Sequence, residues 1–230
     1  MQTKLSNRDI VQADALAVAI KNKRCGLGIS MGVGKTRIAI QHLQKHYNPL
    51  IEALVVIPKH SVAQSWIDEL GKMNLENLVN HITFTTYLSL KKHNHNNYDI
   101  VYLDECHSLK YSHELFLGPY VGKILGLTGT PPKHKNSEKG ELVQKYCPIK
   151  YVFNVDDATD SNILNDYQII IHELELSKLH TLKKKTKAGG HWYTTEKKDY
   201  DYVNGRIADA QTQKQIQFAR IMRMRALMDY

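Results

Sequence analysis

The stretch Leu27-Gly28-Ile29-Ser30-Met31-Gly32-Val33-Gly34-Lys35-Thr36 limits what this chain can fold into more than any other. Before it, Cys25 to Ile29 is short and mostly apolar, as a buried strand is. After it, Arg37-Ile38-Ala39-Ile40-Gln41-His42-Leu43 has helical spacing, with Ile40 and Leu43 three apart. Gly32 and Gly34 permit a tight turn that brings several backbone N–H groups to one point. The positive end of the following helix adds to the attraction for phosphate. On that basis Met31, Gly32, Val33 and Gly34 form a phosphate cradle continued by Arg37. Lys35 reaches the β- and γ-phosphates of ATP, and the Thr36 hydroxyl ligands Mg²⁺. The strict pattern G-x-x-x-x-G-K-[ST] asks for glycine at position 29, where this chain has Ile29, with Gly28 one residue earlier. Taken alone, the stretch also fits a glycine-rich turn ahead of a surface helix.

The rest of the chain repeats the alternation. Ser6-Asn7-Arg8-Asp9 can cap a helix through Val11, Ala15, Leu16 and Ala19. Ala53 to Ile57 is a second buried strand ended by Pro58, and a helix from Ser61 carries Val62, Trp66, Ile67 and Leu70 on one side, with Gly71 as its stop. His81 to Phe84, Asp99 to Leu103 and Lys123 to Leu127 are three further strands. Apolar strands separated by helices predict an α/β domain with a mostly parallel sheet covered on both faces. Ligands of such sheets bind at the carboxyl ends of strands. Asn154 to Asp166 is acidic and turn-rich, and Gln168 to Leu176 is strand-like. Thr181 to Gly190 is lysine-rich and expected to be flexible, and Gln213 to Met228 has helical spacing.

Asp104-Glu105-Cys106-His107 directly follows an apolar strand. A carboxylate at that place can hold Mg²⁺, directly or through water, and its neighbour can polarise an attacking water as general base. In isolation the same four residues fit a charged helix start. In order, Met-Gly-Val-Gly-Lys-Thr, Asp-Glu-Cys-His and Leu-Thr-Gly-Thr-Pro resemble motifs I, II and III of the superfamily-2 helicases and translocases. The Swi/Snf-like and phage-type DNA helicases are the nearest in flavour. That group often has a small residue where Gly28 stands. Val55-Val56-Ile57-Pro58-Lys59 with Trp66 and Glu69 resembles motif Ia, and Ile82-Thr83-Phe84-Thr85-Thr86-Tyr87 resembles motif Ib.

The resemblance covers roughly Leu5 to Leu176 and implies a RecA-like, P-loop fold. It implies ATP and Mg²⁺ held by Lys35, Thr36 and Asp104, with Glu105 as catalytic base and Gln12 as a reader of adenine. It also implies that His107, Thr128, Gly129 and Thr130 link nucleotide state to nucleic-acid contact, and that Pro58, Lys59, Thr85 and Thr86 touch the phosphate backbone. Short hydroxyls, backbone N–H groups and a lysine suit contact that ignores base sequence. For Thr85 and Thr86, plain strand-end hydrogen bonding is the other explanation.

Such enzymes place ATP between two RecA-like lobes. After Leu176 the sequence has no second strand–helix alternation long enough to be another lobe. The expected organisation is therefore residues 1–176 as the ATP-binding lobe, then 177–230 as a basic linker and helix leading toward a second lobe. Charge follows the same division. Of a formal net charge of +8, the stretch from Ser177 to Tyr230 carries 12 Lys and Arg against 5 Asp and Glu. A basic segment beside a near-neutral domain suits a polyanion such as nucleic acid, and serves equally as a solvated linker.

Three widely spaced cysteines point to a reducing compartment and not to a disulfide frame or zinc site. The N-terminus lacks the apolar core of a signal peptide, and no apolar run is long enough for a membrane span. The expected location is the cytoplasm, that of the host if the protein is phage-encoded, with the nucleus also open. The expected partner is DNA, single-stranded or duplex. An RNA helicase of the Asp-Glu-Cys-His type and a non-hydrolysing ATP-dependent nucleic-acid clamp are the alternatives.

Overall fold

The computed structural model describes residues 5–166, 175–186 and 189–208. The chain divides into two compact units, Met1–Tyr167 and Gln168–Tyr230. The predicted strand from Gln168 to Leu176 falls largely outside the described residues, and the predicted helix from Gln213 to Met228 falls wholly outside them.

The first unit is built on a six-stranded parallel sheet. Its strands are β1 (Arg24–Ile29), β2 (Ala53–Ile57), β3 (Ile82–Thr86), β4 (Ile100–Asp104), β5 (Lys123–Thr128) and β6 (Ile149–Phe153), in the order β3-β2-β4-β5-β1-β6. The helices are α1 (Asn7–Lys21), α2 (Lys35–His46), α3 (Ser61–Lys72), α4 (Glu114–Leu117), α5 (Glu138–Tyr146) and α6 (Val155–Asp160). Strands β2 and β4 are buried at every position, which is why they read as unbroken apolar runs. One buried cluster joins α1, α2 and α3 to the sheet through Leu27, Ile40, Leu43, Val55, Trp66 and Tyr102. A second lies on the other face around Leu54, Val101, Leu103, Phe116, Ile124 and Tyr146.

Local chemistry sets the helix ends. Ser6 and Asp9 form a reciprocal capping box: Asp9 N–H donates to Ser6 Oγ at 3.2 Å, and Ser6 N–H donates to Asp9 Oδ2 at 3.0 Å. Helix α3 does not stop at Gly71, which lies inside it. It ends in a Schellman turn with Asn74 at φ 54°. Leu75 N–H reaches the Leu70 carbonyl and Asn74 N–H the Gly71 carbonyl, each at 3.0 Å. Asparagine tolerates the left-handed backbone, so it fills the place where glycine was expected. The turn-rich stretch after Asn154 contains α6, whose capping box is made by Asn154 and Asp157.

The second unit departs from the expectation of a flexible lysine run. Strands β7 (Leu182–Lys185) and β8 (His191–Thr194) pair antiparallel, followed by α7 (Glu196–Ala208). Lys184 Nζ bonds Asp199 at 2.7 Å, which ties the hairpin to the helix. Among the described residues no helix is long and apolar enough to cross a membrane. All three cysteines are free and buried.

Candidate nucleotide site

Because every strand of the sheet is parallel, the segments leaving β1, β4 and β5 emerge on one edge. Their register brings Thr128 beside Gly28, and Asp104 beside Leu127. The turn after β1 is held by two left-handed glycines, Gly32 at φ 85° and Gly34 at φ 108°. Side chains rarely adopt those angles. A Cβ on Gly34 would also collide with the amide of Gln12. That amide donates to the Val33 carbonyl at 2.7 Å, with Gln12 itself buried. Helix α1 therefore fixes the turn from behind. The structure brings Gln12 to the loop backbone, and its N–H group is engaged there.

Gly28 has a packing reason of its own. A Cβ on it would lie 2.7 Å from the Pro131 ring, so β1 needs glycine to pass beneath the turn after β5. Ile29, where the strict pattern asks for glycine, is fully buried core, and its carbonyl accepts from Lys35 Nζ at 3.2 Å. Lys35 Nζ also stands 3.9 Å from Glu105 Oε1. Gly129 lies against Lys35 and the Ile29 carbonyl: a Cβ there would sit 3.4 Å from Lys35 Nζ and 3.6 Å from the Ile29 oxygen.

At the end of β4 the two carboxylates part. Asp104 is buried and accepts from the Trp66 indole N–H at 3.3 Å, while its backbone carbonyl accepts from the Tyr87 hydroxyl at 2.8 Å. Burial raises the Asp104 pKa above the usual carboxylate value. The nearby Glu105 charge adds to that rise, and the Trp66 bond and Lys35 oppose it. Glu105 has a left-handed backbone, φ 53° and ψ 56°, which turns its side chain outward while Cys106 enters the core.

Glu105 Oε2 lies 3.4 Å from His107 Nδ1. The same nitrogen is 2.8 Å from Thr128 Oγ1 and 3.2 Å from Thr130 Oγ1, and Thr130 N–H donates to Thr128 Oγ1 at 3.1 Å. A chain of close polar contacts thus runs from the loop lysine to Glu105 and on to His107, and continues by hydrogen bonds to the turn after β5.

A cavity of about 430 Å³ opens over this edge. Met31, Gly32, Lys35, Thr36, Asp104 and Glu105 line it, with Arg37 and Glu69 at one side. Arg37 Nη1 lies 3.6 Å from Glu69 Oε1. Ser30 Oγ, at the start of the loop, is buried with no hydrogen-bond partner among the described residues, so the loop retains unspent polar capacity. Thr36 and Asp104 offer a hydroxyl and a carboxylate to one cavity, an oxygen-only pair that suits Mg²⁺.

Pro58 and Lys59 leave β2 on the same edge, and both are exposed. Thr86 ends β3 opposite Ile57. Thr85 differs from the expectation of a phosphate contact. It is 3% exposed, and its hydroxyl pairs with His93 Nε2 at 2.9 Å, so the side chain faces inward and is already engaged. The bonds of Trp66 and Tyr87 to Asp104 were not foreseen. A buried indole N–H needs an acceptor, which was the available signal that Trp66 touches something polar.

A family model described as "Type III restriction enzyme, res subunit" matches residues 2–133, more than half of the chain. The chain belongs to this ResIII family. Its α/β lobe has the RecA-like fold of the superfamily-2 helicases. The ResIII lobe is similar in fold to the UvsW helicase from Bacteriophage T4, at 14% identity and TM-score 0.53, over 66% of this chain and 64% of that one. It is also similar to a nuclease-deletion mutant of the Type ISP restriction-modification enzyme LlaGI in complex with a DNA substrate mimic. There the identity is 17% and the TM-score 0.51, over 70% of this chain and 21% of that one. The chain therefore spans less than two-thirds of the first protein and about a fifth of the second. No curated protein sequence matches the chain.

Proposed function

We propose that this lobe binds Mg·ATP at the loop after β1 and couples its hydrolysis to movement along DNA without sequence preference. The observation that carries the reading is the path from Lys35 through Glu105 and His107 to Thr128 and Thr130. Lys35 and the loop N–H groups hold the β- and γ-phosphates. Glu105, turned outward beside the cavity, takes a proton from the attacking water. Thr36 and Asp104 would hold Mg²⁺, which when bound neutralises developing phosphate charge. His107 Nδ1 faces Glu105 and the Thr128–Thr130 turn together, so the three compete for one ring nitrogen. A change at the γ-phosphate therefore shifts the segment that follows β5.

Pro58 and Lys59, both exposed, supply the nucleic-acid contacts in this reading, with Thr86, itself 8% exposed, ending β3 beside them, because they share the edge with the nucleotide site. DNA is favoured because the LlaGI neighbour was solved with a DNA substrate mimic. A second RecA-like lobe supplies the opposing wall of the cleft.

The test is nucleotide-dependent thermal stabilisation. A ligand present at about 100 times its Kd stabilises the folded state by about 2.7 kcal/mol. Mg·ATP or Mg·ADP should raise Tm for the wild type by several degrees and leave Lys35→Ala unmoved. Equal shifts for both proteins would show that the nucleotide sits elsewhere.

A further inference from the structure

The opposite edge of the sheet carries a second concave surface. At the amino ends of β1 and β6 lies a cavity of about 490 Å³. Asn22, Lys23, Arg24, Lys145, Pro148 and Lys150 line it. Four of these residues are cationic, and no lining residue is acidic.

Two of the four cations are held by neutral partners. Arg24 Nη2 donates to the Tyr120 carbonyl at 2.8 Å, with its guanidinium 5.7 Å from the centre of the Tyr146 ring. Lys150 Nζ donates to Asn22 Oδ1 at 2.7 Å. Lys145 alone has a carboxylate, bonding Glu114 at 2.7 Å. Among the described residues, no carboxylate lies within 4.0 Å of Lys23, Arg24 or Lys150.

Amide and carbonyl oxygens fix the position of a cation without cancelling its charge. Like charges gathered around one concavity repel each other and raise its positive potential. Arg24 offers fixed guanidinium donors, and the lysines offer compact charges with rotatable donors. That combination matches an anion with several oxygens on more than one centre.

We infer that this cavity is a second anion site, for a ligand carrying two or more phosphate groups in succession. A free oligophosphate and a nucleic-acid backbone both present that chemistry. Since the cavity lies across the sheet from Lys35, the inference does not depend on the nucleotide assignment.

The experiment uses the full chain in a Lys35→Ala background, so that the loop does not compete for ligand. Inorganic tripolyphosphate is titrated calorimetrically, and a short labelled oligothymidylate is titrated by fluorescence anisotropy at two salt concentrations. Lys23 and Lys150 are exposed and outside the nucleotide machinery, so K23Q/K150Q should fold normally. Loss of two charge-assisted contacts should weaken tripolyphosphate by roughly tenfold or more. For the oligonucleotide, each lost single-strand phosphate contact removes about 0.7 from the salt slope. The fall in affinity between about 50 and 200 mM salt should then shrink about sevenfold. Lys150→Arg, which keeps the charge, should retain binding.

An effect on tripolyphosphate identifies a free oligophosphate ligand, an effect on the oligonucleotide identifies a nucleic-acid backbone, and effects on both support the shared chemistry. Affinities for both probes that ignore K23Q/K150Q would overturn the inference. So would loss of Mg·ATP-dependent stabilisation when K23Q/K150Q is placed in the Lys35 protein, because the two sites would then not be separate.

Discussion

His42 and Glu105 are both placed against their ordinary preferences, and each placement has a consequence. His42 on α2 is 2% exposed, and its Nδ1 lies 2.9 Å from the Tyr102 hydroxyl. Burial, with smaller contributions from His46 and Lys123, lowers its pKa to about 3. Above the ordinary histidine value near 6.5 the ring is neutral in both folded and unfolded chains. As pH falls below that value, the unfolded chain takes up a proton that the folded chain refuses, so stability is lost from about 6.5 down toward the folded value. By about pH 5 the loss is about 2 kcal/mol. Urea unfolding at about pH 7 and pH 5 should therefore show a steeper loss for the wild type than for His42→Gln, which keeps an acceptor but does not titrate there. Parallel losses in the two proteins would remove His42 as the cause. At Glu105 the left-handed backbone costs on the order of 1–3 kcal/mol. It is retained where the side chain must leave the core between buried Asp104 and buried Cys106.

At the level of elements, β5 runs between β4 and β1, and Gly126 sits at its centre. A Cβ there would lie 2.7 Å from Cys147 Sγ and 3.1 Å from Cys106 Sγ. Gly126→Ala should lower stability by about 1–3 kcal/mol through overpacking, read as a lower denaturant midpoint with an unchanged m-value. An unchanged midpoint would mean that the two cysteines yield freely. Strands such as β2 and β4 were legible because burial on both faces leaves an unbroken apolar signature. Strand β6 was not foreseen. It is an edge strand of alternating exposure, and the sequence Ile149-Lys150-Tyr151-Val152-Phe153 mixes a charge into its run. The β7–β8 hairpin was obscured by consecutive lysines. One of these, Lys184, is stabilised by Asp199, a partner that periodicity cannot supply. In the candidate site, the loop and the Asp104-Glu105 pair are local patterns, so their meeting at one strand edge could be anticipated. The inward turn of Thr85 depends on His93, and the environment of Asp104 depends on Trp66 and Tyr87. Those contacts arise only once the chain is folded.

For the whole molecule, the decisive quantity is turnover. The proposed site has a glycine-rich turn, a buried carboxylate and an outward glutamate, yet the arginine that lines its cavity, Arg37, is engaged with Glu69. Among the described residues lining the cavity, no unpaired arginine then joins Lys35 in facing charge that develops on a γ-phosphate. In phosphoryl-transfer enzymes an arginine supplied across the cleft contributes about 10³–10⁵ in rate, equivalent to roughly 4–7 kcal/mol of barrier. A second lobe closing over the cavity would also exclude water from the reacting atoms. Residues 1–230 should therefore bind nucleotide but hydrolyse it near background, with little stimulation by DNA. Joining a second RecA-like lobe should raise the DNA-stimulated rate by several orders of magnitude, and Glu105→Gln should abolish the gain. The comparison is a steady-state ATPase assay of the two proteins at equal concentration, with and without DNA. Robust stimulated turnover by residues 1–230 alone would overturn the requirement for an opposing lobe. The search for the missing cation would then move to Arg206, Arg220, Arg223 and Arg225, with alanine substitutions at each identifying which one acts.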